Sequence, residues 1–180
     1  MNPTELTEDQ RKLIYLVSRK SRIEKDRIIW LKELALLTLV HKGIRLGVFK
    51  SYDYAPSLVV FHGVKLYANV SQEYLKDIEK LRYMGMLYKL KLNTKYYDNI
   101  NAFTVATSTE RVISNMSRQA KDEVDKLIDC PKCKGTMKVV VNVKSSTLLC
   151  PQCGYKEHSD LFTLENISYK CKAYFSGGGR

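Results

Sequence analysis

The chain has 180 residues, with 30 lysines and arginines against 19 acidic side chains, and so a formal charge of +11 at neutral pH. That length allows one domain or two small ones and excludes a barrel enzyme with a deep cleft, while 44% hydrophobic and 27% charged residues exclude global disorder. A folded surface of that sign attracts polyanions such as DNA, RNA or acidic membranes.

Residues 1–10 are polar and acidic, without the basic-then-apolar pattern of a signal peptide, and a cytoplasmic protein is expected. The first helix starts after Thr7, whose hydroxyl caps the backbone while Gln10 reaches back, and its apolar face carries Leu13, Ile14 and Val17. A second helix is predicted over residues 25–42, apolar on most of its circumference from Ile28 to Val40 and ended by Gly43. Its apolar stretch is shorter than the roughly 20 residues that span a bilayer and holds Lys32 and Glu33, so it reads as the central core helix and no membrane partner is expected.

Residues 44–49 and 58–68 read as strands, with Pro56 and Gly63 as breaks. Ser71 caps a third helix carrying Leu75, Ile78 and Leu81 at helical spacing, and Gly85 suits the left-handed residue after its end. A hairpin follows, with strands at 86–92 and 102–107 around a polar and aromatic turn at 93–101. One helix over 108–128, with Val112, Ile113, Met116, Ala120, Val124 and Leu127 on a stripe, links two modules or pairs with a second copy in a homodimer.

All five cysteines lie in the last third of the chain. Cys130, Cys133, Cys150 and Cys153 form C-x2-C-x16-C-x2-C, a metal-site spacing in which two tight turns each offer two thiolates to one ion. Gly135 and Gly154 follow the two pairs, and residues 137–143 and 147–149 alternate as a hairpin should. With the knuckles CPKCKG and CPQCGY, residues 129–157 resemble a zinc ribbon, with 167–175 as a third strand. The resemblance implies one zinc ion per chain in a structural role, since four protein ligands leave no position for water. Iron uses similar knuckles in rubredoxin-like sites, and His158 and Cys171 are the substitute ligands. As a self-contained unit, the ribbon should unfold over residues 129–175 when Cys150 becomes Ser, with the first module surviving.

The order of helices and hairpin over residues 7–107, with EYLKDIEKLRYMGMLYKLKL followed by NAFTVATSTERVI, resembles a winged-helix domain, a helix-turn-helix variant. The resemblance implies that residues 71–84 enter a DNA major groove and that the hairpin is a wing along the backbone. Contact candidates on the helix are Ser71, Gln72, Lys76, Lys80 and Tyr83, with Gln72 able to pair with adenine and the lysines with phosphates. In the wing they are Lys89, Lys91, Lys95 and Tyr96, beside Asn93 and Tyr97. Glu73, Asp77 and Glu79 make that helix neutral overall, whereas Arg19, Lys20, Arg22, Lys25 and Arg27 form the densest basic cluster and would hold phosphates without reading sequence.

Residues 176–180 are a mobile end by composition. No phosphate-binding loop, metalloprotease motif or nucleophile elbow occurs, so no enzyme is expected. The whole reads as an α+β protein: a winged-helix-like domain (1–107), a linking helix (108–128) and a small all-β zinc ribbon (129–175). The combination resembles archaeal transcription regulators and general transcription factors. It implies a DNA-binding component of transcription, with RNA as a possible second ligand. The alternative is an adaptor that meets protein and RNA in an assembly such as RNA polymerase or the ribosome.

Overall fold

A computed structural model of the chain describes residues 6–24, 27–61, 64–94, 97–142 and 145–162. It is mixed α/β, with small antiparallel sheets distributed among the helices.

Helix α1 (Glu8–Lys20) begins with the expected capping box: the Gln10 amide donates to Thr7 Oγ1 at 3.1 Å and the Thr7 amide donates to Gln10 Oε1 at 3.1 Å. Glu8 and Asp9 in the first turn and Arg19 and Lys20 in the last complement the helix dipole.

The second helix starts later than the sequence suggests. Strands β1 (Arg22–Glu24) and β2 (Arg27–Ile29) pair with each other, β3 (Leu31–Lys32) joins a distant sheet, and only then does α2 (Glu33–Arg45) begin. Ile28 and Ile29 are exposed on the hairpin rather than in the core. The β-branched residues that look like helix core in one dimension serve equally well as strand residues, and pairing decides between the two.

Gly43 lies inside α2 rather than at its end, and residues 44–49 form the last turn of that helix and a loop rather than a strand. The glycine is there for closeness: a Cβ on it would stand 2.5 Å from the Phe49 ring and 3.1 Å from Leu127. Gly43→Ala is therefore expected to destabilise the chain by about 1–3 kcal/mol through overpacking. Urea midpoints of the two proteins check this, and an unchanged midpoint would mean that Phe49 has room to move.

The stretch 58–68 falls in two strands on either side of the expected break at Gly63, β4 (Ala55–Phe61) and β5 (Val64–Val70), paired as a hairpin. Pro56 sits inside β4, opposite Asn69, which is tolerable because among the described residues β4 has a partner on one side only. Helix α3 (Gln72–Tyr83) follows as expected, with Ser71 Oγ accepting from the Tyr74 amide, and Gly85 takes φ +69° after its end. Strands β6 (Leu87–Thr94) and β7 (Tyr97–Val105) form the next hairpin; most of the expected turn at 93–101 is strand, because the pairing runs on to Thr94–Tyr97. Strand β3 adds to β7, with Leu31 opposite Phe103, giving the order β3-β7-β6.

The predicted helix over 108–128 is divided. A short 3-10 turn leads into α4 (Glu110–Ser114), and α5 (Arg118–Ile128) starts afresh where Ser117 Oγ accepts the Ala120 amide at 3.2 Å. A serine bonded to the backbone ahead of it favours a new N-terminus over continuation. From the stripe expected to link two modules or pair with a second copy, Val124 and Leu127 are buried, with Ile128, in one core with Leu13, Val17, Leu36 and Leu39.

The last unit is a three-stranded sheet of β8 (Lys138–Asn142), β9 (Ser145–Leu149) and β10 (Lys156–Ser159), in the order β10-β9-β8. Its third strand is β10; residues 167–175, where the sequence suggested one, lie outside the described residues, as do Cys171 and 176–180. Met137, Leu148, Leu161 and Phe162 continue the hydrophobic core of the helices. Polar ties cross the same boundary: Lys20 Nζ to the Met137 carbonyl at 2.7 Å, Lys42 to Glu157 at 2.9 Å, and the Asn69 amide to the Leu161 carbonyl at 2.9 Å. Among the described residues no helix is long and apolar enough to cross a membrane.

Candidate metal centre and the exposed face of helix α3

The two cysteine knuckles are built alike. In the first, the Lys134 amide donates to the Cys130 carbonyl at 2.9 Å and the Cys130 amide to the Gly135 carbonyl at 2.8 Å. In the second, Gly154 donates to the Cys150 carbonyl at 3.0 Å and Cys150 to the Tyr155 carbonyl at 2.8 Å. The matching left-handed positions are therefore Lys134 (φ +62°) and Gly154 (φ +73°). Lysine accepts that conformation at some cost in backbone strain.

Cys130 and Cys150 are buried, Cys133 and Cys153 exposed, and all four Sγ atoms lie within 4.8 Å of one another. The closest pairs cross between knuckles, Cys133 to Cys150 at 3.4 Å and Cys130 to Cys153 at 3.5 Å. A tetrahedral ion with sulfur ligands at about 2.3 Å sets its sulfurs about 3.8 Å apart, so these separations suit one ion at the centre.

The electrostatics agree. Backbone amides of Cys153 and Gln152 point at the Cys150 sulfur and hold its thiol down to about 6. The Gly135 amide lowers Cys133 in the same way, but the neighbouring sulfurs outweigh it and push that thiol up to about 12. One thiolate forms readily and its neighbours resist; four together need a cation between them. The four cysteines are thus positioned to bind a metal ion.

The exposed face of α3 carries Gln72, Lys76, Lys80 and Tyr83, the last of them 89% exposed. Ser71, expected among the contacts, is buried: its hydroxyl is occupied by the Tyr74 amide and Glu73, so it serves as a cap and is withdrawn from the surface. The three acidic residues that made this helix look neutral are not equivalent. Asp77 turns inward and accepts from Gln10 Nε2 at 2.6 Å and the Tyr52 hydroxyl at 2.8 Å. Glu79 is paired with Arg82 at 2.5 Å and lies 3.9 Å from Lys89, while Glu73 receives the Ser71 hydroxyl. Lys76 and Lys80 make no ion pair among the described residues.

In the hairpin, Lys89 and Lys91 are exposed, Lys89 lying 6.0 Å over the Phe103 ring, and Lys95 and Tyr96 fall outside the described residues. The basic cluster spans the end of α1 and the β1–β2 hairpin rather than a junction of two helices. Arg19 is paired with Asp125 and Asp129 at 2.9 and 3.5 Å, Lys20 is bonded to Met137, Arg22 stands in β1, Arg27 is exposed in β2, and Lys25 lies outside the described residues.

Lys12 and His41 are among the polar residues whose burial the sequence did not disclose. Lys12 is fully buried between α1 and α5, and its signal was present: it stands four residues before Leu16 on the apolar side of α1, with Glu8 one turn away. His41 is 2% exposed in α2 and edges onto Tyr54, with ring centroids 4.6 Å apart; nothing local distinguished it from a surface histidine.

No curated protein and no solved structure matches this chain. A family model described as the uncharacterized protein MJ1567 family matches residues 9–160. That span runs from the first turn of α1 through the α3 face and both cysteine knuckles to the end of β10, and the chain belongs to the MJ1567 family.

Proposed function

We propose that this protein is a zinc-containing nucleic-acid-binding protein that holds duplex DNA against α3 and the β6–β7 hairpin, as a regulator or component of transcription. The observation that carries the reading is that Lys76 and Lys80, on the exposed side of α3, form no ion pair among the described residues, after Asp77 has turned inward and Glu79 has been neutralised by neighbouring cations. The chain order α1, β3, α2, α3, β6, β7 with the sheet order β3-β7-β6 supports a winged-helix arrangement. The inserted hairpins β1–β2 and β4–β5 account for the long intervals between its helices. Four sulfur ligands in a tetrahedral space favour zinc, which here would hold the two knuckles together and leave the ribbon surface to protein or nucleic acid.

The test is a salt titration of duplex binding by the metal-loaded protein. Each phosphate neutralised contributes roughly 0.9 to the slope of log K against log salt, so Lys76→Ala with Lys80→Ala should lower the slope by about two. An unchanged slope removes α3 from the interface. Binding of single-stranded RNA in preference to duplex would favour the adaptor reading, in which the exposed Tyr83 and Leu75 offer α3 a protein contact as well.

A further inference from the structure

The ribbon sheet turns one face to the helices and the other to solvent, and its register shows what the outer face carries. Lys138, Leu149 and Lys156 stand in one row across the three strands, and Val140, Thr147 and His158 in the next. Lys138, Val140, Lys156 and His158 are exposed and Leu149 and Thr147 half-buried, whereas the alternate residues Val139, Val141 and Leu148 pack on the core. The carboxylates nearest the sheet are turned elsewhere: Glu157 pairs with Lys42, Asp160 with Arg45 and Asp129 with Arg19. Among the described residues no acidic side chain stands on the outer face, and neither Lys138 nor Lys156 forms an ion pair. With an ion bound, four thiolates leave a charge of about −2 on the knuckles, and Lys132 and Lys134 within the first knuckle offset it. The sheet lysines remain in excess.

We propose that this face binds single-stranded nucleic acid, at a site separate from α3 and independent of the duplex reading. Neighbouring strands of a sheet lie about 4.8 Å apart, so the Lys138 and Lys156 backbones are about 10 Å apart with Leu149 between them. Two phosphates of one strand meet the two ammonium groups, and a base between them lies on Leu149. The next row has the same form. His158, 3.3 Å from Thr147 Oγ1, offers a ring for stacking, and Val140, 43% exposed, gives an apolar floor on the far side of Thr147. A duplex would use the lysines but not these groups, because its base faces are already stacked on one another. An acidic peptide is held at a strand edge or in a groove, and the outer face of the sheet is neither.

Fluorescence anisotropy of the metal-loaded full chain with labelled oligouridine, oligothymidine and a random duplex of equal length tests this. At least one of the single strands should bind, with an affinity that falls as salt rises. Each phosphate neutralised on a single strand contributes roughly 0.7 to the slope of log K against log salt, so Lys138→Ala with Lys156→Ala should lower that slope by about 1.4 and leave the duplex slope unchanged. Lys76→Ala with Lys80→Ala should leave the single-strand slope unchanged, whichever way duplex binding responds. His158→Ala should weaken single-strand binding by about fivefold, the lower end for loss of one stacked ring. The three substituted side chains of the sheet are exposed, so metal content and melting temperature should match those of the native chain. The proposal is overturned if neither single strand binds, if the Lys138 and Lys156 double variant keeps the native single-strand slope or loses as much on duplex, or if His158→Ala binds undiminished. It is also overturned if polyglutamate of equal charge displaces the labelled strand as well as the unlabelled oligonucleotide does.

Discussion

Cys150→Ser should melt the whole chain in one transition rather than the ribbon alone. Cys150 is buried and belongs to the same hydrophobic core as Leu13, Leu36, Val124 and Leu127, and Met137, Leu148, Leu161 and Phe162 carry that core from the knuckles to the helices. Polar ties reinforce it, including Lys20 to Met137 and Asn69 Nδ2 to the Asp160 carbonyl at 3.0 Å. A structural tetrathiolate zinc site contributes roughly 10–16 kcal/mol of binding free energy in small domains, against a total folding stability of about 5–15 kcal/mol. Losing one ligand need forfeit only part of this: about 5 kcal/mol would lower the melting temperature of a chain this size by roughly 10–20 °C. The expected result is that far-UV circular dichroism and the fluorescence of Trp30, the single tryptophan, shift down together. Trp30 lies between β2 and β3, far along the chain from the mutation. Metal release with an unmoved Trp30 transition would show that the ribbon folds by itself, as its sequence suggests when read alone.

What could be read from the chain was what it encodes over a few residues. The Thr7–Gln10 capping box, the Ser71 cap, the left-handed turn at Gly85 and the paired knuckles each depend on side chains within one turn of the backbone they serve. What could not be read was decided by distant partners. Whether Arg27–Ile29 is helix or strand depends on Arg22–Glu24, and the end of that choice is set by Leu31 meeting Phe103, which lies far along the chain. The division at Ser117 had a local signal, a helix-capping serine inside an otherwise continuous apolar stripe, and the stripe concealed it. For the site the same rule holds. The four cysteines were legible from spacing, whereas the state of Lys76 and Lys80 rests on where Asp77 and Glu79 point, which involves Gln10, Tyr52 and Lys89. Ser71 shows a local signal read for two purposes at once: a hydroxyl that caps α3 is not free to touch a base.

Lys12→Ala should be as damaging as the truncation of a core leucine. Lys12 is fully buried, and its ammonium donates to the Val48 carbonyl at 2.9 Å and pairs with Glu8 and Glu123, each at 2.7 Å. It thereby joins α1, the loop after α2, and α5. Removing one member of a buried ion pair leaves the other uncompensated, at a cost of roughly 3–5 kcal/mol; because Glu8 is mostly exposed and can turn to water, about 3 kcal/mol is expected here. A double substitution, Lys12→Met with Glu123→Leu, should recover most of that loss, since apolar side chains can fill the space without desolvated charge. The pH profile separates charge from packing. Burial lowers the Lys12 pKa, but hydrogen bonds to Glu123 and Glu8 outweigh it and leave the value above 10.5, so this contribution is complete below 10.5 and lost as pH rises through the folded value. Glu123 is held below 4.5, chiefly by Lys12 against the opposing effect of burial, so its contribution is complete above 4.5 and lost as pH falls through the folded value. Urea midpoints measured across pH should show a plateau between those limits for the native chain, with both shoulders flattened in the double variant. A double variant no more stable than Lys12→Ala, or one with the native shoulders intact, would mean that Lys12 acts through the volume of its side chain and not through its charge.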